Sequence, residues 1–103
     1  MNESANFNSF AEFYLFYLSE HTNTISRRLH VIGTSLIILI SIFAIISADW
    51  LLLWLLPVVG YGFAWIGHFV FEKNRPATFK HPLYSLMGDF KMWWQVVTFK
   101  LPW

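Results

Sequence analysis

The chain has 103 residues, 56% apolar and 20% aromatic, and only 13% charged, about half the charged share of an ordinary soluble domain. A globule this small buries only about 60–65% of its unfolded surface, so large apolar patches would meet water, and the surplus has to face lipid. A net charge of +1 with dispersed basic residues excludes the basic stripe of a nucleic-acid binder, and the lack of cysteine excludes disulfides, thiolate metal sites, iron–sulfur clusters and cysteine nucleophiles.

Glu3, Glu12 and Glu20 precede the first basic residue, Arg27, so the start lacks the basic region of a secretion signal and is expected to be a mature N-terminus. Ser9-Phe10-Ala11-Glu12 fits a capping box and opens a helix over 9–20. Aromatics nearly all round that helix place it at the membrane interface or against other helices. Eighteen uncharged residues follow from Val31 to Ala48, then twenty-two from Trp50 to Phe71 in which His68 is the one readily titrating group. At 1.5 Å per residue each can cross a hydrocarbon core of about 30 Å, which gives spans over 29–48 and 50–72.

Only Asp49 separates these spans, so they form a tight antiparallel hairpin. Asp49 is expected to cap the second helix through its side chain, with Trp50 and Trp54 at the far interface. Pro57 marks a kink or a late helix start, and Gly33, Gly60, Ala64 and Gly67 permit close helix approach. Beyond the breakers Pro76 and Pro82, the residues Leu83, Leu86, Met87, Phe90, Trp94 and Val97 recur at helical spacing and predict an amphipathic helix over 82–99 on the cytoplasmic surface. A shallow insertion of residues 92–99 is the alternative. The whole, 1–103, reads as a single all-α integral membrane domain, a transmembrane helical hairpin flanked by N- and C-terminal amphipathic or interfacial helices. Arg27 and Arg28 before the hairpin, and Lys73, Arg75 and Lys80 after it, put both termini in the cytoplasm by the positive-inside rule.

The hairpin relates two histidines that are far apart in the chain. His30 lies nineteen residues before Asp49 and His68 nineteen after it, so both sit about 28 Å from the turn, at one depth near the cytoplasmic rim. His21 folds back to that rim through a turn at Thr22-Asn23-Thr24, and Glu72 is four residues from His68. The cluster of His21, His30, His68 and Glu72, ringed by Asn23, Arg27, Arg28 and Arg75, suits Fe(II), Zn(II) or Mn(II). The plain alternative is a set of rim histidines, an ordinary His68–Glu72 contact, and arginines that only fix topology and meet lipid head groups. His81 has the weakest case and reads as a surface residue; Tyr14, Tyr17, Tyr61 and Tyr84 read as interface or packing aromatics.

Two stretches, FYLFYLSEHTNTISRRLHVIG (13–33) and GYGFAWIGHFVFEKNRPATF (60–79), resemble the signature segments of the membrane family that includes the fungal 2-hydroxy fatty acid dioxygenase of phytosphingosine breakdown. The matches are His21, Asn23 and His30, then Gly67, His68, Glu72, Lys73, Arg75, Pro76 and Ala77. The C-terminal PLYSLMGDFKMWW looks like the short bacterial branch, which implies a bacterial inner membrane. The resemblance implies an Fe(II)-dependent α-oxidation, in which a 2-hydroxy fatty acid and O2 give a fatty acid one carbon shorter. It makes His21, His30 and His68 the expected metal ligands, and Glu72 a fourth ligand or a carboxylate orienting a histidine. Arg27, Arg28 and Arg75 would hold the substrate carboxylate, Arg27 and Arg75 also serving the reaction, and Asn23 would support the turn beside the substrate. The rivals are a bis-histidine haem electron carrier built on His30 and His68, a non-catalytic membrane hairpin that scaffolds partners, and a zinc hydrolase. A lone hairpin encloses little volume, so a homodimer is expected.

Overall fold

The computed structural model describes residues 7–76 and 79–103; Ala77 of the second signature segment lies outside the described residues. Among the described residues the chain is all helical, with no strand. Helix α1 (Phe10–Ser19) starts because Ser9, in extended conformation, accepts the Glu12 N–H on its hydroxyl at 3.2 Å. It ends at Glu20, whose N–H reaches back to the Phe16 and Tyr17 carbonyls.

Helix α2 (Thr24–Ser47) begins five residues ahead of the span start read at 29, for a local reason. The Asn23 side-chain oxygen accepts from the N–H groups of Ile25 at 2.9 Å and Ser26 at 3.1 Å, so capping chemistry starts the helix before the apolar run does. Arg27, Arg28 and His30 therefore stand on its first two turns. At the far end Ala48 adopts left-handed φ 52°, and the Asp49 N–H closes onto the Ala44 carbonyl at 3.0 Å.

Helix α3 (Trp50–Glu72) has three parts: a tight 3-10 turn at Trp50–Trp54, an α segment at Leu55–Ile66 and a wide π turn at Gly67–Glu72. The expected Asp49 side-chain cap is corrected here, because entry by a 3-10 turn uses the Asp49 carbonyl, which accepts the Leu52 N–H at 3.2 Å. Pro57 stands in the first turn of the α segment, where a missing N–H is tolerated, so it marks a late start rather than a kink. Both α2, with 24 residues and mean hydropathy 2.5, and α3, with 23 residues and mean hydropathy 1.6, are long and apolar enough to cross a membrane. Near the hairpin turn Ile46 is 80% exposed and Leu51 and Trp54 are 76% exposed, an outer surface that calls for lipid rather than water.

Helix α4 (Pro82–Val97) packs against α1 and the basic end of the hairpin. Its buried face is Ser85, Gly88, Met92 and Val96, while the apolar stripe from Leu83 to Val97 lies outside the core and is exposed. Phe13, Tyr14, Phe16 and Tyr17 of α1 join Val31, Met92 and Val96 in the core, each fully buried ring contributing about 1.5–3 kcal/mol. Gly88 makes this contact possible: a Cβ there would lie 2.8 Å from the Tyr17 ring. The Trp93 indole N–H donates to the Ser35 hydroxyl at 2.9 Å, which fixes α4 alongside the middle of α2.

Candidate metal centre

His21 follows the end of α1, His30 lies on the second turn of α2, and His68 sits in the π turn of α3; all three are buried. Their ring centroids are 4.3 Å (21–30), 4.6 Å (21–68) and 4.9 Å (30–68) apart, and one ring nitrogen from each falls within 4.8 Å of the other two. Gly67 brings α3 close enough for this, since a Cβ there would stand 2.8 Å from the Ser26 hydroxyl and 3.2 Å from the His30 ring.

The outward nitrogens settle the tautomers. His21 Nδ1–H donates to the Tyr17 carbonyl at 2.7 Å, and His30 Nδ1–H donates to the Ser26 carbonyl at 2.9 Å. His68 Nδ1–H donates to the Asn74 side-chain oxygen at 2.6 Å. The Asn74 amide is itself oriented, because its NH2 donates to the carbonyl and carboxylate oxygens of Glu20, each at 3.2 Å. Lys73, at left-handed φ 57°, turns the chain back so that Asn74 can reach His68. Each ring thus keeps its proton on Nδ1 and turns the Nε2 lone pair inward, the arrangement of metal-binding imidazoles held by outer hydrogen bonds.

His21 Nε2 and His30 Nε2 are 3.1 Å apart with no proton left for the space between them, a juxtaposition that a bound cation relieves. Burial first, then the neighbouring His30 and His68, lowers the His21 pKa well below the usual histidine range, keeping it neutral and ready to ligate. Three neutral nitrogens and no thiolate fit Fe(II), Zn(II) or Mn(II). They do not fit a bis-histidine haem on His30 and His68, because the His21 ring occupies the space a porphyrin would need.

Glu72 stands outside this group. Its carboxylate accepts the Asn23 N–H at 2.7 Å and faces the Thr22 hydroxyl at 3.5 Å, so it ties the π turn of α3 to the loop that carries His21. The Asn23 side chain is engaged in capping α2. Arg27 donates to the His21 carbonyl at 3.1 Å, and its Nε is buried with no partner among the described residues. Arg28 turns away, donating to the Trp103 carbonyl at 3.4 Å and lying over the Trp103 ring. Arg75 is exposed at a small mouth shared with Glu20, Lys80 and His81. His81 packs on Phe7 and Phe13, apart from the other three histidines.

Asn74 and the Tyr17–Asp89 pair also support the site, and residue spacing alone does not show them. Tyr17 stacks on His21 at 4.0 Å and donates its hydroxyl to Asp89. Asp89 has a signal in the sequence, as a carboxylate off the apolar stripe of the C-terminal helix, whereas Asn74, six residues past His68, is brought back only by the left-handed turn at Lys73.

No curated protein and no solved structure matches the chain significantly. A family model described as 2-hydroxy-palmitic acid dioxygenase Mpo1-like matches residues 7–101, nearly the whole chain, and so places it in the Mpo1-like family.

Proposed function

We propose that the protein is an Fe(II)-dependent membrane dioxygenase that shortens 2-hydroxy fatty acids by one carbon, with His21, His30 and His68 as the metal ligands. The observation that carries this reading is the convergence of three Nε2 lone pairs, each fixed by an Nδ1–H bond to an oxygen, in a chain of this family. The overall reaction balances with one O2: a 2-hydroxy acid gives the acid one carbon shorter, carbon dioxide and water. Bound iron supplies the redox chemistry with O2.

The protein's own groups bind and orient. Arg27, one helical turn before His30, offers its buried, unpartnered Nε to the substrate carboxylate, which a guanidinium matches in shape and charge. Arg75, at the outer mouth, meets the anionic head group as it enters. Glu72 and Asn23 act through position, holding the turn that sets His21. The reading has the hairpin in a bacterial inner membrane with both termini cytoplasmic, the basic residues lying at the histidine end.

Metal analysis of anaerobically purified wild type and His68→Ala tests it directly. Near-stoichiometric iron that disappears in the variant, together with oxygen uptake on 2-hydroxy fatty acids by the wild type, is the expected result. Zinc in place of iron, without oxygen uptake, would move the site to hydrolysis. No metal in protein kept out of chelating buffers would leave a membrane hairpin without a centre.

A further inference from the structure

Below the histidines α2 carries one continuous stripe, with Arg27, His30, Thr34, Ile37 and Ser41 at helical spacings of three and four. From His30 onward this stripe forms one wall of a cleft of about 720 Å³. The other walls are α3 between Leu56 and Ala64 and α4 between Pro82 and Phe90. His30 belongs both to the histidine group and to the cleft, so the cleft is continuous with the candidate metal centre.

We propose that this cleft holds the alkyl tail of the substrate and that its depth limits the chain length accepted, an inference that rests on the function proposed above for the histidines. The occupant is a single-tailed amphiphile with an anionic head. The cleft is polar at the histidine end, where His30, Thr34 and Asp89 lie, and mainly apolar beyond, along Ile37, Leu56 and Pro57, with the Ser41 side chain at its far end. The cationic side chain of Arg27 is one turn above, on the same stripe, where the carboxylate of such a molecule would be.

Along α2 the wall from His30 to Ser41 is eleven residues, or about 16 Å of helix. An extended alkyl chain advances roughly 1.3 Å per carbon from its bonds of about 1.5 Å, so about a dozen carbons fit beyond the head group. Ala64, one helical turn from His68, borders the first part of that path, and Ser41 borders the last.

The test uses the iron-loaded full chain in phospholipid-free detergent micelles and a 2-hydroxy palmitic acid probe with a photoreactive diazirine at the tail end. The cleft predicts labelling at Ser41, Leu56 and Pro57. Ala64→Phe should lower that labelling and shift relative kcat/KM toward short 2-hydroxy acids by about tenfold or more. Ser41→Phe, a milder change at the far end, should shift the preference by only a few carbons.

Labelling spread over outward residues such as Phe43 and Ile46 would overturn the proposal, as would labelling and chain-length profiles unmoved by both substitutions. Displacement of the probe by phosphatidylcholine as readily as by unlabelled 2-hydroxy acid would also overturn it and assign the cleft to a bilayer lipid. Label position requires no turnover, so failure of the cleft is distinguishable from failure of the reaction, which metal content and oxygen uptake report.

Discussion

Tyr17 donates its hydroxyl to the carboxylate of Asp89, across seventy-two positions of sequence, while its ring lies on His21 at 4.0 Å. One side chain thus links the α1–α4 core to the candidate metal centre. Tyr17→Phe keeps the ring and removes the donor, leaving a buried carboxyl without its partner. The expected result is a loss of about 1–3 kcal/mol in stability with metal content unchanged. Tyr17→Leu removes the stacked ring as well and should lower metal affinity too. Equal metal affinity in all three proteins, measured by titration in detergent, would detach Tyr17 from the site.

Asp89 gives a pH signature whose sign is fixed by the direction of its shift. Burial raises its pKa from 3.8 to about 7, partly offset by the Tyr17 hydrogen bond. The folded protein therefore binds this proton more tightly than the unfolded chain, and the stabilisation is fully present below about pH 4 and lost as pH rises through 7. Asp89→Asn stays neutral throughout, so the variant should gain on the wild type over that interval, by on the order of 2–4 kcal/mol. The His21 shift acts in the opposite direction, costing stability as pH falls below the usual histidine range, but it is common to both proteins and cancels in the difference. Thermal midpoints of the pair at several pH values check this; a gap that does not vary with pH would contradict it.

Asn74 and Glu72 hold histidines without pointing at the open nitrogens. Asn74→Leu removes the acceptor that fixes the His68 tautomer and should weaken metal binding by about 10–100-fold. Glu72→Ala leaves the Asn23 N–H unpaired and loosens the turn carrying His21, costing about 1–3 kcal/mol. Glu72→Gln keeps an acceptor oxygen and should recover part of that loss, since charge-assisted bonds are roughly twice as strong as neutral ones. If Glu72→Gln abolished metal binding while leaving stability intact, Glu72 would be a ligand.

The meeting of His30 and His68 was legible because it depends only on helical rise and on two equal nineteen-residue offsets from Asp49. The hairpin was legible for the same reason, being set by length and apolarity. Details that depend on local backbone were not. A four-residue spacing would put His68 and Glu72 on one face of an α-helix, but the π turn at Gly67–Glu72 widens the step between them, so the carboxylate lands on the Asn23 loop. The stripe on α4 gave its helical period but not its place: the stripe lies outside the core, its first part beside the cleft, while small Ser85 and Gly88 face the core because the Tyr17 ring needs the space. Asp49 failed as a side-chain cap because the following turn is 3-10 rather than α.

Glycine substitutions separate close approach at the site from close approach elsewhere in the hairpin. A Cβ on Gly67 would stand 2.8 Å from the Ser26 hydroxyl and 3.2 Å from the His30 ring, both on buried groups of α2 that are part of the site or touch it. On Gly60 the nearest atom is the flexible end of Ile37, and on Gly62 no atom lies within 4 Å. Gly62→Ala should therefore be neutral or raise stability by up to about 1 kcal/mol through helix propensity. Gly60→Ala should cost little, because Ile37 can change rotamer. Gly67→Ala has to displace α3 from α2 at the depth of the histidines, which should cost about 1–3 kcal/mol and lower metal affinity by separating His68 from His30. Thermal midpoints and metal titrations on the three variants check the order. A metal affinity for Gly67→Ala equal to that of Gly62→Ala would mean that the closeness of these two helices does not set the geometry of the three histidines.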